Sequence, residues 1–120
     1  MLKLKFSYDK LSDDLFLYSP KSKSKGSIEI GDIILDFNKE NKLVGVQMIN
    51  ASKLLNDMVD KDPKAIRAVL ENLHDCKMDV KKQGNTLMIK IFLLSKTDKL
   101  TPVIPVVDIM ESSPAIAVDG

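Results

Sequence analysis

Three aspartates in the first third of the chain, Asp9, Asp13 and Asp36, are the residues whose type and spacing could do chemistry. Carboxylates gathered at a turn can hold a hard cation through oxygen, or divide the work of acid and base between them. Aspartate in a turn also accepts hydrogen bonds from the local backbone, and at a sheet edge its charge discourages pairing. The structural reading is preferred for all three, and they stand as the candidate metal-site residues.

Asp36 also opens a second pattern. Asp36, Asn38 and Glu40 place oxygen donors at alternate positions, as a calcium loop begins. The sixth position is Asn41 where such a loop needs glycine, and the closing position is Gln47 where it needs glutamate, so an acidic hairpin turn is expected. The single histidine and single cysteine, His74 and Cys76, stand two apart. A zinc site needs further ligands, and a thiol nucleophile needs a base held by an orienting group. The expectation is that His74 ends a helix, where partial positive charge is favoured, and that Cys76 opens a buried strand.

Lys21, Lys23 and Lys25 could touch phosphates, but only serine separates them and no aromatic is interleaved, so a solvated loop is expected. The run Asn50-Ala51-Ser52 has the form of a glycosylation acceptor and is read as a helix-start cap. Ser112-Ser113 lacks the glycine frame of a nucleophile elbow, and the five scattered glycines form no phosphate loop.

These residues must be positioned by elements that the hydrophobic pattern outlines. Leu2, Leu4, Phe6 and Tyr8 alternate with Lys3, Lys5 and Ser7, the period of a half-buried strand. A polar turn at 9–13 returns the chain into Leu15-Phe16-Leu17-Tyr18, which Pro20 ends, and Ser27-Ile28-Glu29-Ile30 makes a short third strand. Residues 32–37 and 43–50 form a hairpin: Ile33, Leu35 and Phe37 share one face, and Val44, Val46 and Met48 share another. Asn38 and Asn41 bound its turn, and asparagine tolerates the left-handed backbone such turns require. Gly45 inside a strand implies a bulge or a close approach by another element.

The order Tyr8-Asp9, then Asp13-Asp14-Leu15-Phe16-Leu17, then the Ile34-Leu35-Asp36 hairpin closing on Val44-Gly45-Val46 and Asn50-Ala51-Ser52, resembles the prokaryotic family known as domain of unknown function 2283. The resemblance covers roughly residues 1–55; Phe16 stands where tyrosine is expected, and Asn41 where glycine is expected. It implies a compact β-meander leading into a helix and carries no catalytic residues. Relatives that look like partners of small toxin-type proteins imply an interaction role.

Beyond the meander the period changes. Ala51, Leu54, Leu55, Met58 and Val59 fall on one helix face, and Asp62-Pro63 is a restart signal that precedes a second stripe of Ile66, Val69, Leu70 and Leu73. One kinked helix or two short ones would fit. Residues 76–83 and 86–94 read as a second hairpin about Gly84-Asn85. Its second strand is apolar on both faces, which suits a central strand. Residues 101–107 carry Pro102 and Pro105 and suit an extended arm or edge strand. Residues 112–120 read as a mobile tail.

Composition limits the function classes. At 120 residues the chain is one domain with one core, and a net charge of +1 offers no field for polyanions. Arg67 is the single arginine and tryptophan is absent, which disfavours nucleic-acid readout. No apolar run approaches a membrane span, and the alternating N-terminus lacks the apolar block of a signal peptide, so a cytoplasmic protein is expected. A single cysteine agrees with a reducing compartment.

The expected architecture is an α+β domain over residues 1–110, followed by a tail at 111–120. In it an antiparallel meander and a second hairpin are covered on one face by helical residues 51–74. The expected function is a non-enzymatic protein-interaction or self-association module, as a homodimer or with a small protein partner, and without a cofactor. The alternatives are a small ligand- or metal-binding protein using Asp9, Asp13 and Asp36, and nucleic-acid binding through the lysine loop.

Overall fold

The computed structural model describes residues 1–107. The meander forms as expected, with β1 Leu2–Asp9, β2 Asp14–Tyr18, β3 Gly26–Ile30, β4 Ile33–Phe37 and β5 Leu43–Met48. Two helices follow, α1 Ala51–Met58 and α2 Pro63–Glu71. The second hairpin is β6 Asp75–Gln83 and β7 Thr86–Leu94, and two more strands, β8 Lys99–Leu100 and β9 Val103–Val107, complete the described chain. The fold is α+β.

All strand pairings are antiparallel and join into one sheet in the order β3-β4-β5-β2-β1-β6-β7-β8, with β9 also on β7. β1 stitches the two halves together. Its outer part, Lys5 to Asp9, pairs with β2, while Leu2 to Leu4 pair with Met78 to Cys76 of β6. The sheet curls, so that Phe37 and Leu43 on one half line the same groove as Met78, Val80 and Leu87 on the other.

The core fills the concave side. Leu15, Leu17, Leu35, Val46 and Met48 from the meander meet Cys76, Met78, Ile89, Ile91 and Leu93 from the second hairpin, all buried. Leu55 of α1 and Ile66, Val69 and Leu70 of α2 close it, with Leu54, Met58 and Leu73 packed at its margin. The break between the helices lies where proline dictates it. Asp62 Oδ1 accepts the Lys64 N–H at 2.7 Å, and Pro63, which has no N–H to satisfy, takes the first helical position.

Gly45 combines both features expected of it. The ladder slips beside it, since Asp36 faces Gly45 while Phe37 faces Leu43, leaving Val44 as the extra residue of a bulge. A Cβ there would lie 3.0 Å from Asp36 Oδ2 and 3.2 Å from the Leu17 carbonyl oxygen. The carboxylate can swing aside, but the carbonyl belongs to the paired backbone. Gly45→Ala should therefore cost about 1–2 kcal/mol, through overpacking against Leu17. Chemical denaturation would show it as a lower midpoint at unchanged slope, and an unchanged midpoint would mean that the β2–β5 ladder yields.

β7 is central, as its two apolar faces imply. One edge pairs with β6 throughout, and the other is covered by β8 at Leu93 and Leu94 and by β9 from Thr86 to Lys90. The 101–107 segment is thus an edge strand whose alternate residues Ile104 and Val106 are buried. Residues 108–120, which include the end of the expected domain, Ser112-Ser113 and the expected tail, lie outside the described residues.

Candidate functional site

Asp13 is the best-connected polar residue. It stands in the tight turn between β1 and β2 in a left-handed conformation, φ 60°, which aspartate tolerates because its short side chain can bond locally. Its carboxylate accepts the Tyr8 hydroxyl at 2.6 Å, the Ser52 hydroxyl at 2.7 Å and the Ser52 N–H at 3.1 and 3.2 Å. Its carbonyl accepts the Ala51 N–H at 2.8 Å. Arg67 of α2 approaches to 3.9 Å from the more exposed side.

The turn thereby caps α1 from 39 residues away in sequence. The expected cap was local. Asn50 does occupy the cap position, but with φ 53° and no side-chain cap bond, so the anion and acceptor that the helix N-terminus favours come from Asp13. Burial would raise the Asp13 pKa, but the bonds from Ser52 and Tyr8, with Arg67 beside them, outweigh it and hold the carboxyl below its ordinary value. Desolvation and the Asp13 hydrogen bond push the Tyr8 phenol well above its usual range.

The other aspartates are placed differently. Asp9 closes its own turn, Oδ1 accepting the Leu11 and Ser12 N–H groups at 2.9 and 3.3 Å, and those bonds lower its pKa. Asp36 lies on β4, separated from β2 by β5, and Oδ1 accepts the Ser27 hydroxyl at 2.5 Å. The structure brings Asp9 and Asp13 to one turn and leaves Asp36 two strands away. Among the described residues, no group of three or more His, Cys, Asp or Glu side chains gathers as a metal set.

The remaining candidates fall into the backbone scheme. The turn at 38–41 is a hairpin turn in which Asn38 Oδ1 accepts the Glu40 and Lys42 N–H groups, and Asn41 is left-handed. His74 is not in a helix as expected: α2 ends at Glu71, and His74 is exposed in the link, its N–H donated to Leu94. Cys76 is buried near the start of β6, a strand whose second half is exposed, and burial, with Asp75 adding, pushes its thiol up to about 12. A thiol held protonated is a poor nucleophile. Lys21, Lys23 and Lys25 are exposed on the loop before β3, opposite Lys39.

Two surface features have no counterpart in the sequence reading. One is the groove of about 400 Å³ where the curled sheet approaches itself, lined by Leu2, Phe37, Leu43, Met78, Val80 and Leu87 with Lys42 and Asp79 at its rim. The other is the contrast between the two edges of the sheet. At β9 the Ile91 N–H donates to the Pro102 carbonyl at 3.0 Å. The alternation of an antiparallel ladder then turns Ile104 and Val106 toward β7 and directs Pro105, which has no N–H, outward. Proline there removes the middle outward N–H, between those of Val103 and Val107, and hinders a further strand. At β3 the two-residue turn Gly31-Asp32 makes Ile30 and Ile33 a hydrogen-bonded pair, so the outward backbone groups belong to Ser27 and Glu29. No proline guards β3, and Ile30 is 41% exposed.

The geometry defines a small α+β protein on a single curled antiparallel sheet, with a polar node that ties a turn to a helix and an outer edge strand, β3, that carries no proline. The chain belongs to the family described as Protein of unknown function (DUF2283), which it matches over residues 5–52. That segment contains Tyr8, Asp13 and Ser52, the hydrogen-bonded part of the node, and ends on its last member. The chain is 35% identical over 101 residues to an uncharacterized protein of Methanocaldococcus jannaschii, covering 82% of this chain and 81% of that one. A Methanosarcina mazei protein with the provisional name hypoxanthine phosphoribosyltransferase is 25% identical over 96 residues, covering 80% of this chain and 72% of its own. No solved structure matches.

Proposed function

We propose that this protein is a non-enzymatic interaction module that joins protein chains through the β3 edge of its sheet. The observation that supports this reading is the contrast of the two outer strands: Pro105 takes one outward N–H from β9, while β3 presents the outward N–H and C=O groups of both Ser27 and Glu29. Exposed edge groups are a template for a further strand, whether from a second copy or from another protein. The buried, protonated Cys76 fits work in a reducing, cytoplasmic compartment. Among the described residues, no helix is long and apolar enough to cross a membrane.

The test is Glu29→Pro, which removes an outward N–H and leaves the bonds from β3 to β4 in place. Association, with itself or with a co-purifying chain from its own source, should be lost while far-UV dichroism and melting hold. Association that survives the substitution would sink the reading.

A second reading rests on the groove. Its size and apolar lining fall in the range of small-ligand sites. An apolar ligand seated there should raise the melting temperature of the wild type, and Val80→Asp should remove the effect. The acidic turn residues, by contrast, do not line it. The enzymatic activity in the Methanosarcina mazei relative's name is left with that protein. Pyrophosphate groups are held by runs of backbone amides in glycine-rich loops, and the five glycines here stand singly.

A further inference from the structure

We infer that the partner for the β3 edge is a second copy of this chain, with the two β3 strands antiparallel about a two-fold axis through Ile28. The inference rests on the interaction reading above and names the occupant. Its basis is the self-complementarity of residues 25–32 when the strand is laid against its own reverse.

With the axis at Ile28, Ser27 of each copy falls opposite Glu29 of the other. These are the outward-facing residues, so each pair exchanges both backbone hydrogen bonds and no outward group of β3 is wasted. The next register, with the axis at Ser27, would pair Glu29 with Lys25. The Lys25 N–H is already donated to the Phe37 carbonyl at 2.7 Å, so that register loses bonds that the Ile28 axis keeps.

The side chains agree with the same axis. Ile28 meets its own copy at a close, non-hydrogen-bonded position, and Ile30 falls opposite Gly26. A side chain placed over Gly26 meets open space, since a Cβ there would have nothing within 4 Å. The exposed Ile30 can therefore lie across the glycine against Ile28, giving a four-isoleucine stripe on the concave side.

Charge agrees as well. β3 is preceded by Lys23 and Lys25 and followed by Asp32, with Glu29 near its end. A parallel neighbour would set lysine against lysine. The antiparallel copy sets Lys25 diagonal to Glu29, within reach of a long side chain, and Lys23 toward the Asp32 turn.

A strand-edge interface of this size is small, so the dimer is expected to be weak, concentration-dependent and loosened by salt. Sedimentation equilibrium on the full chain, from micromolar to millimolar at low salt, is the test, with Lys25→Glu, Glu29→Lys and the double variant beside the wild type. Each single reversal turns two attractive diagonals into repulsive ones and should raise the dissociation constant about tenfold. The double variant should restore it. A dimer that ignores all three variants, or a chain that stays monomeric at millimolar concentration, overturns the pairing. A hetero-association that Glu29→Pro abolishes would then still support the interaction reading, whereas a wild-type chain that associates neither with itself nor with another protein would end it.

Discussion

Asp13→Ala is expected to lower stability by roughly 2–4 kcal/mol, the largest effect of any polar substitution in the described chain. The substitution strands the Ser52 N–H and hydroxyl and the Tyr8 hydroxyl together, in a site already partly desolvated. It also removes the anion from the N-terminus of α1 and places alanine at φ 60°, where its Cβ is strained. For a domain of this size the melting temperature should fall by roughly 8–15 °C. Asp13→Asn separates the causes, because asparagine accepts the backbone angle and keeps one carbonyl acceptor. It should cost about half as much. Tyr8→Phe removes one hydrogen bond and leaves the Ser52 bonds intact, for about 1 kcal/mol. If Asp13→Ala and Tyr8→Phe melted alike, Ser52 would not be held from the turn, and α1 would owe its start to something else.

The same node sets a pH dependence of known sign. The Asp13 carboxyl titrates lower in the folded chain than in the unfolded one, where it has its ordinary value near 4. Between those two values the unfolded chain binds more protons, so stability rises with pH through that window. The contribution is complete above the unfolded value and is lost as pH falls through the folded one. The stability gap between wild type and Asp13→Asn should therefore be constant near neutrality and shrink in acid. Asp9, which is exposed, and Asp98, which is half-buried beside Lys61, shift the same way, and solvent screens their share.

The legible part of the fold was that written in local periods. The two-residue alternation of β1, the Asp62-Pro63 restart and the turn at Gly84-Asn85 each act within a few residues, and each stands where its pattern implies. The Asp13 cap was not legible in this way. Ser52 offers a donor and Asn50 a cap-like side chain, but nothing local says that an aspartate 39 residues earlier will take the bond. Asp13 itself could be singled out as a turn carboxylate, while its partner depended on β2 and β5 being neighbours. His74 missed its helix for a related reason. The apolar stripe runs on to Leu73, but Asn72 ends the helix, and the Asn72 amide bonds back to the Ala68 carbonyl at 2.7 Å. The groove and the difference between the edges depend on curl and ladder phase, which no single segment encodes.

Cutting the chain after Leu100 should be more damaging than any point substitution, although the two prolines beyond it give that segment the look of a detachable arm. β9 buries Ile104 and Val106 against the second hairpin, and each buried aliphatic side chain contributes about 1.5–3 kcal/mol. That sums to roughly 3–6 kcal/mol before the ladder with β7 is counted, a large share of the whole stability of a domain this size. The cut also bares the outer edge of β7, whose residues Ile89 and Ile91 sit in the middle of the core. The truncated chain should lose its cooperative melt or aggregate. Ile104→Ala gives the graded version, a loss of about 2–4 kcal/mol with the chain still folded. A truncated chain that melts like the full one would mean that β9 does not stay on β7. The core would then close without it, and the outer edge of the sheet there would be β7, without the proline of β9.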